Sequence, residues 1–228
     1  MTPGLTPVRV IAIDGAAGSG KSTLARGIAE AIGLPYVNTG IMYRALTLAA
    51  IEAAIDPDDG DALAQLMSRL RFGLSSGFTQ AGLRELEVEG APPSGALLGP
   101  QVEAEVSRVA RHPQVRTLMR DAQRAIGSPD AVVEGRDIGT VVFPDAKVKL
   151  FLHAAPGTRV ERRAVQRGGG PDAKVAEALR RRDERDAKVN PFEPAPGAII
   201  VDTSDRTVED TLRIALEIVR ERMPEAFA

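Results

Sequence analysis

Residues 15–23, Gly-Ala-Ala-Gly-Ser-Gly-Lys-Ser-Thr, set bare backbone beside an amine and several hydroxyls. Gly15, Gly20, Lys21 and Ser22 fit the spacing G-x-x-x-x-G-K-[ST]. A loop almost free of side chains lets backbone N–H groups curl around a phosphate chain. A helix starting inside the loop aims the positive end of its dipole at the same anion. In that arrangement Lys21 reaches the β- and γ-phosphates, and Ser22 offers its hydroxyl to Mg²⁺. Gly15, Ala16, Ala17, Gly18, Ser19, Gly20, Lys21, Ser22 and Thr23 are therefore the expected ATP-binding residues, with Mg²⁺ as cofactor and Ser22 as its protein ligand.

Several arginines could complete such a site. Arg44, Arg136 and Arg182 lie near expected strand ends or helix starts, where planar guanidinium groups suit phosphate oxygens. Arg159, Arg162, Arg163 and Arg167 recur at helical spacing and would share one helix face. Taken singly, Arg44, Arg136 and Arg182 read more readily as solvated cations beside a carboxylate, while the helix-face set reads equally well as a soluble face.

The elements that must position these residues are visible as apolar runs. Val8 to Ile13, Val132 with Val133, Val148 to Leu152, and Ala198 to Val201 suit strands buried on both faces, and Tyr36 with Val37 suits a shorter one. Between them, Ser22 to Ile32 and Thr207 to Met223 carry helical periodicity, with Thr207 as N-cap. Strand and helix alternating in this way predict an α/β, doubly wound parallel sheet. The rhythm breaks from about Asp56 to Pro113. There "LRFGL" and "LRELEVEG" alternate like half-exposed antiparallel strands and "APPSGALLGP" reads as loop, which predicts an inserted hairpin plus helix. Gly157 to Lys188 holds ten Lys/Arg against six Asp/Glu and is interrupted by "RGGGPD", which marks it as a separate segment.

Composition narrows the function. The 228 residues, 43% apolar, suffice for one full core and a small appended region. A net charge of −2 argues against a nucleic-acid partner. The chain has no cysteine, which excludes disulfides and thiolate metal sites; His112 and His153 are expected to be structural. No run reaches the roughly 18 apolar residues that span a bilayer, and the first residues lack the pattern of a signal peptide. A cytoplasmic protein with no membrane partner is expected. The absence of an N-K-x-D tetrapeptide disfavours a guanine-nucleotide switch.

Three further stretches, "NTGIMYR" at Asn38 to Arg44, "VEGRDIGTVVFPDAKVKLFLHA" at Val133 to Ala154, and "LRRRDERD" at Leu179 to Asp186, complete the pattern. With the glycine loop they closely resemble the bacterial cytidylate kinases, within the nucleoside monophosphate kinases, over nearly the whole chain. The resemblance implies a P-loop unit over 8–228 with a parallel five-stranded core (8–37 and 114–228), a monophosphate-binding region with an insert (38–113), and a short lid with its flanks (about 157–188). It implies ATP and CMP or dCMP as substrates. Thr39, Tyr43 and Arg44 match the family's S-G-x-x-Y-R, with threonine in place of serine, and Arg44 would clamp the acceptor phosphate. Arg136 would touch that phosphate and Asp137 the base, with Ser107 and Arg116 helping to read cytosine. Asp186 would accept from the ribose hydroxyls, with Arg182 near sugar or phosphate. Lys21, Arg136 and Arg182 are the implied catalytic cations, and Arg159, Arg162 and Arg163 the lid arginines. Val189 stands where many relatives carry arginine, so Lys188 is the candidate to supply that charge. Glu134 stands where many have aspartate.

The expected reaction is transfer of the γ-phosphoryl group of ATP to CMP or dCMP by a monomer. The alternatives are a P-loop kinase acting on UMP or a small hydroxyl compound, and a nucleotide-gated binding protein.

Overall fold

The computed structural model describes residues 9–78, 82–166, 168–170, 172–189, 191 and 193–227. Val8 and Arg167 of the readings above lie outside these residues. Strand β1 (Arg9–Gly15) leads directly into the glycine loop, and helix α1 (Lys21–Ile32) leaves it. Then follow β2 (Tyr36–Asn38), α2 (Thr39–Glu52), α3 (Gly60–Met67), β3 (Phe72–Leu74) and β4 (Leu86–Val88). Helices α4 (Pro100–Val109) and α5 (Pro113–Gly127) precede β5 (Asp130–Gly135) and a π-helical turn at Ile138–Val142. The chain continues through β6 (Val148–His153), α6 (Pro156–Gln166), α7 (Ala173–Val189), β7 (Ile199–Asp202) and α8 (Val208–Arg222).

Strands β2, β5, β1, β6 and β7 form one parallel sheet in that order, while β3 and β4 pair antiparallel in a separate two-stranded sheet. The period of two in a strand decides the layering. Val10 and Ala12 of β1 face one apolar cluster with Val133, Met42, Leu46 and Met119. Ile11 and Ile13 face the other, with Val132, Leu150 and the inner sides of α1 and α8, Leu24, Ile28, Ala215 and Val219. Each large aliphatic side chain buried this way contributes about 1.5–3 kcal/mol, and the two clusters fix the sheet between helical layers. The α/β doubly wound expectation holds.

Local chemistry sets the helix ends. The Asn38 side chain accepts from Ile41 N at 3.3 Å and starts α2. Thr207 accepts from Asp210 N at 3.0 Å and starts α8, as its sequence position predicts. Both α4 and α5 begin with a proline in the first turn, where a missing N–H costs nothing. The sequence reading predicted one helix in the insert without placing it, treated the approach to Pro100 as loop, and did not predict α5. Among the described residues no helix is long and apolar enough to cross a membrane.

The carboxyl ends of β1, β2 and β5 place Gly15, Asn38 and Gly135 along one edge, where open α/β sheets bind ligands. Gly15 is demanding there. Its φ is +151°, and a Cβ would lie 2.4 Å from the Leu152 carbonyl oxygen. The neighbouring strand's backbone cannot retreat without breaking the β1–β6 pairing. Gly15→Ala is therefore expected to destabilise the protein by about 1–3 kcal/mol or more, the scale of a strained backbone site, and to weaken ATP binding. Thermal melts check this, and an unchanged Tm contradicts it.

Candidate active site

The glycine loop turns through left-handed glycines on its way into α1. Gly18 has φ +77°, with Arg159 backbone 3.0 Å from where its Cβ would sit, and Gly20 enters α1 with φ +92°. No side chain caps α1, so its first turn is left to a ligand. Ser19 is fully buried, and its Oγ finds no hydrogen-bond partner among the described residues. Lys21 folds back to donate to the Ala16 carbonyl at 2.7 Å. Burial, then the Arg136 and Arg182 guanidinium groups, push its amine down to about 7 against the opposing pull of Glu134 and Asp14.

Asp14, just before the loop, is buried and accepts from Ile138 N and Gly139 N, both at 2.8 Å. This ties the end of β1 to the turn that follows Arg136 and Asp137. Burial raises its carboxyl to about 6, against the two N–H donors. Glu134, at the end of β5, is also buried; its Oε1 accepts from Tyr36 Oη at 2.5 Å, and its backbone carbonyl accepts from Thr39 Oγ1 at 2.7 Å.

A cleft of about 1260 Å³ opens beside the loop. It is lined by Ala17, Gly18, Gly20, Lys21 and Ser22 on one side, and by Thr39, Tyr43, Arg44, Ser107, Arg116, Arg136, Asp137, Arg163, Arg182 and Asp186 elsewhere. Sequence positions far apart thus meet in one space. Gly15, Ala16, Ser19 and Thr23 do not line the cleft, and Thr23 is exposed.

The charged groups form linked sets. Arg116 donates to Asp137 Oδ2 at 2.5 Å. Tyr43 lies in the field of this pair, its phenol pushed well up by burial. Asp186 accepts from Ser107 Oγ at 2.9 Å and Arg136 Nε at 3.3 Å, with Arg182 Nε at 3.7 Å. Arg136 also donates to the Gly15 carbonyl at 2.7 Å, which joins the glycine loop to this set. Glu103 accepts from Arg44, and from Arg163 and Arg182 at 2.8 and 2.7 Å.

Two expected lid arginines are engaged elsewhere. Arg159 bridges the Ala17 carbonyl at 3.2 Å and Asp183 at 2.6 Å. Arg162 grips Thr203 through its hydroxyl and carbonyl, and Thr203 Oγ1 donates to the Ser19 carbonyl at 3.0 Å. Of the three, Arg163 lines the cleft. Lys188 is exposed on α7 and does not line it; Val189 and Arg185 do, and Arg185 donates to the Ala104 carbonyl at 3.2 Å. His112 Nε2 lies 2.9 Å from the Pro57 carbonyl, a structural contact.

A family model described as cytidylate kinase matches residues 11–221. The chain is 43% identical over 221 residues to a cytidylate kinase of Mycobacterium avium, covering 93% of this chain and 96% of that protein. The chain belongs to the cytidylate kinase family. It is 42% identical over 214 residues to a cytidylate kinase of Chloroflexus aggregans, covering 91% of this chain and 92% of that one. A bifunctional pantoate ligase/cytidylate kinase of a Synechococcus strain is 40% identical over 93% of this chain, which spans only 41% of that longer protein.

The sequence reading missed two groups in this cytidylate kinase family member. Asp14 is hidden inside a β-run, where a single carboxylate reads as noise. Glu103 reads as an ordinary acidic residue just after a loop-like stretch, although in the structure it lies in the first turn of α4 and Arg44, Arg163 and Arg182 converge on it from three other helices.

The Lys21 amine supplies a direct test. Its pKa lies below the ordinary lysine value, so at about pH 8 the amine is largely neutral, and a polyphosphate that favours the charged form must draw in a proton. ATP binding measured by calorimetry in two buffers of different ionisation enthalpy is expected to show proton uptake by the protein. The uptake should disappear in Lys21→Met. Equal uptake in both proteins contradicts the assignment of Lys21 to the phosphates.

Proposed function

We propose that the protein transfers the γ-phosphoryl group of ATP to CMP or dCMP, releasing ADP and the diphosphate. The observation that carries this reading is the Arg116–Asp137 pair in the same cleft as the glycine loop. Cytosine presents an exocyclic amino donor beside a ring acceptor, and a carboxylate with a guanidinium complements that pair. Uracil presents the reverse order, so its carbonyl would face Asp137 as acceptor against acceptor. Membership of the cytidylate kinase family supports the same substrate.

An oxygen of the CMP phosphate forms a bond to the γ-phosphorus as the bond from that phosphorus to the β–γ bridging oxygen breaks, and ADP leaves. The attacking oxygen is already ionised, so no general base is needed. What the chain supplies is position and charge. The loop N–H groups and Lys21 hold the triphosphate of the donor. Arg44 and Arg136 orient the acceptor phosphate, and Arg182 and Arg163 face the region between. Thr39 and Tyr43 shape the wall beside the acceptor, Ser107 with Arg116 helps read the base, and Asp186, which accepts from Ser107 Oγ, offers its carboxylate to the sugar hydroxyls. Arg159 and Arg162 anchor α6 to the loop and to Thr203, which keeps Arg163 in reach.

The residues present fit Mg²⁺ bound mainly by substrate phosphates. Ser22 and the buried Glu134 both bring oxygen donors to the cleft, and Mg²⁺ commonly takes few protein ligands and keeps waters. Bound there, the ion would offset charge on the β- and γ-phosphates. We assign residues 38–113 to the acceptor-binding region and about 157–188 to the lid and its flanks, on the core formed by 8–37 and 114–228. We assign the protein to the cytoplasm, where ATP is available, and read it as acting as a monomer.

Asp137→Asn tests the base assignment. Its amide can turn to donate or accept, so it should lose kcat/KM for CMP and narrow the gap to UMP by about 1–3 kcal/mol, the scale of one specific base contact. An equal fall for both substrates contradicts the cytosine reading and gives Asp137 a structural or phosphate role.

A further inference from the structure

Glu103 sits in the first turn of α4, and its carboxylate is the meeting point of guanidinium groups from α2, α6 and α7. Oε2 accepts from Arg44; Oε1 takes both Arg163 at 2.8 Å and Arg182 at 2.7 Å. The side chains are largely shielded, at 16% exposure for Glu103 and 8%, 24% and 18% for its partners. Burial pushes the Glu103 carboxyl up, but Arg182, Arg44 and Arg163 outweigh it and hold it at about 2. It therefore stays ionised at any working pH.

This surrounding is what a phosphate would ask for: several N–H donors from separate arginines turned toward one small anion. Arg44 is assigned above to the acceptor phosphate, and Arg163 and Arg182 to the region between the two substrates, all three lining the same cleft. An N–H that points at Glu103 cannot point at a ligand as well. We infer that the Glu103 carboxylate occupies the acceptor-phosphate seat, and that the phosphate enters, and the diphosphate product leaves, by exchange with it on Arg44, Arg163 and Arg182. The inference rests on the acceptor reading proposed above and adds a positioning residue to it.

The exchange is chemically balanced. The carboxylate carries one negative charge and two oxygens. A phosphate monoester carries about 1.5 to 2 charges near neutral pH and three strong acceptors, so it displaces the carboxylate from the guanidinium groups. Without ligand, Glu103 keeps mutually repelling cations gathered. After transfer, its return offers the arginines an alternative partner and speeds release. The occupied seat lowers the apparent affinity of any ligand that must displace it, by the fraction of time it is vacant. A ligand without a phosphate escapes that penalty.

The test compares the full chain with Glu103→Gln, which keeps the size and removes the charge. CMP should bind roughly tenfold more tightly to the variant, a modest share of the interaction between close charges in a partly shielded site. Inhibition by uncharged cytidine should be unchanged. Both KM for CMP and kcat should fall, the latter because product leaves more slowly. Weaker or unchanged CMP binding makes Glu103 a fixed brace and overturns the exchange, as does an equal gain for cytidine. Glu103→Asp, which shortens the reach of the carboxylate, covers a glutamine variant that fails to fold; it too should tighten CMP, and weaker binding overturns the inference. Inorganic phosphate separates this inference from the acceptor reading. Should the wild type neither bind nor phosphorylate CMP, the acceptor reading fails, while tighter phosphate binding by Glu103→Gln still upholds the exchange and unchanged phosphate binding sinks it.

Discussion

Lys21, Arg44, Arg136, Arg163 and Arg182 converge on one cleft, and like charges brought together out of water repel. The rest of the site is arranged around that constraint. Partly buried carboxylates hold the cations where they are: Glu103 takes Arg44, Arg163 and Arg182, and Asp186 takes Arg136 with Arg182 close by. What cannot be neutralised shows in the weakened basicity of Lys21 and Arg136, whose protonated forms suffer from burial and from their cationic neighbours. A polyanion relieves this repulsion, so the unliganded site stores an affinity for phosphate.

The fold supplies what charge alone cannot, a fixed distance between the two halves of the site. Gly15 lets β1 pass within contact of the β6 backbone, and Asp14 ties that strand end to the turn after Asp137 through two backbone N–H groups. Donor loop and acceptor-reading pair are thus joined by short, buried links. Arg159 and Arg162 do the same for the lid flank by gripping Ala17 and Thr203. These contacts make α6 a strut as well as a carrier of Arg163.

Most of the sheet was legible in the sequence because β1, β5 and β6 are largely buried, which leaves short β-rich runs with no competing helical pattern. The run at Ala198 to Val201 is also a strand, but as edge strand β7 it is not buried on both faces, with Ile200 60% exposed. The glycine loop was legible because its spacing serves a single backbone geometry. Helices α4 and α5 were not placed, because α4 follows a loop-like stretch, α5 follows α4 after only three residues, and both open on proline, a residue that reads as a break unless it is placed at the first turn. The role of Glu103 was invisible for a different reason. Its partners, Arg44, Arg163 and Arg182, are distant along the chain, and no local spacing announces a contact made only by tertiary packing. The regular spacing of Arg159, Arg162 and Arg163 correctly implied one helix, yet a helix face is wide enough to send neighbours to different partners. Lys188, read as the candidate stand-in for an arginine, is exposed on α7 and does not line the cleft, whereas Val189 and Arg185 do.

The central claim is that charge gathered around the glycine loop serves transfer to a cytosine monophosphate and not to water. Release of ADP from ATP and Mg²⁺, followed with and without CMP alongside direct detection of CDP, tests it most directly. The account predicts release that is slow alone, rises to saturation with CMP, and matches the CDP formed. Release at the same rate with and without CMP, with no CDP, would contradict it.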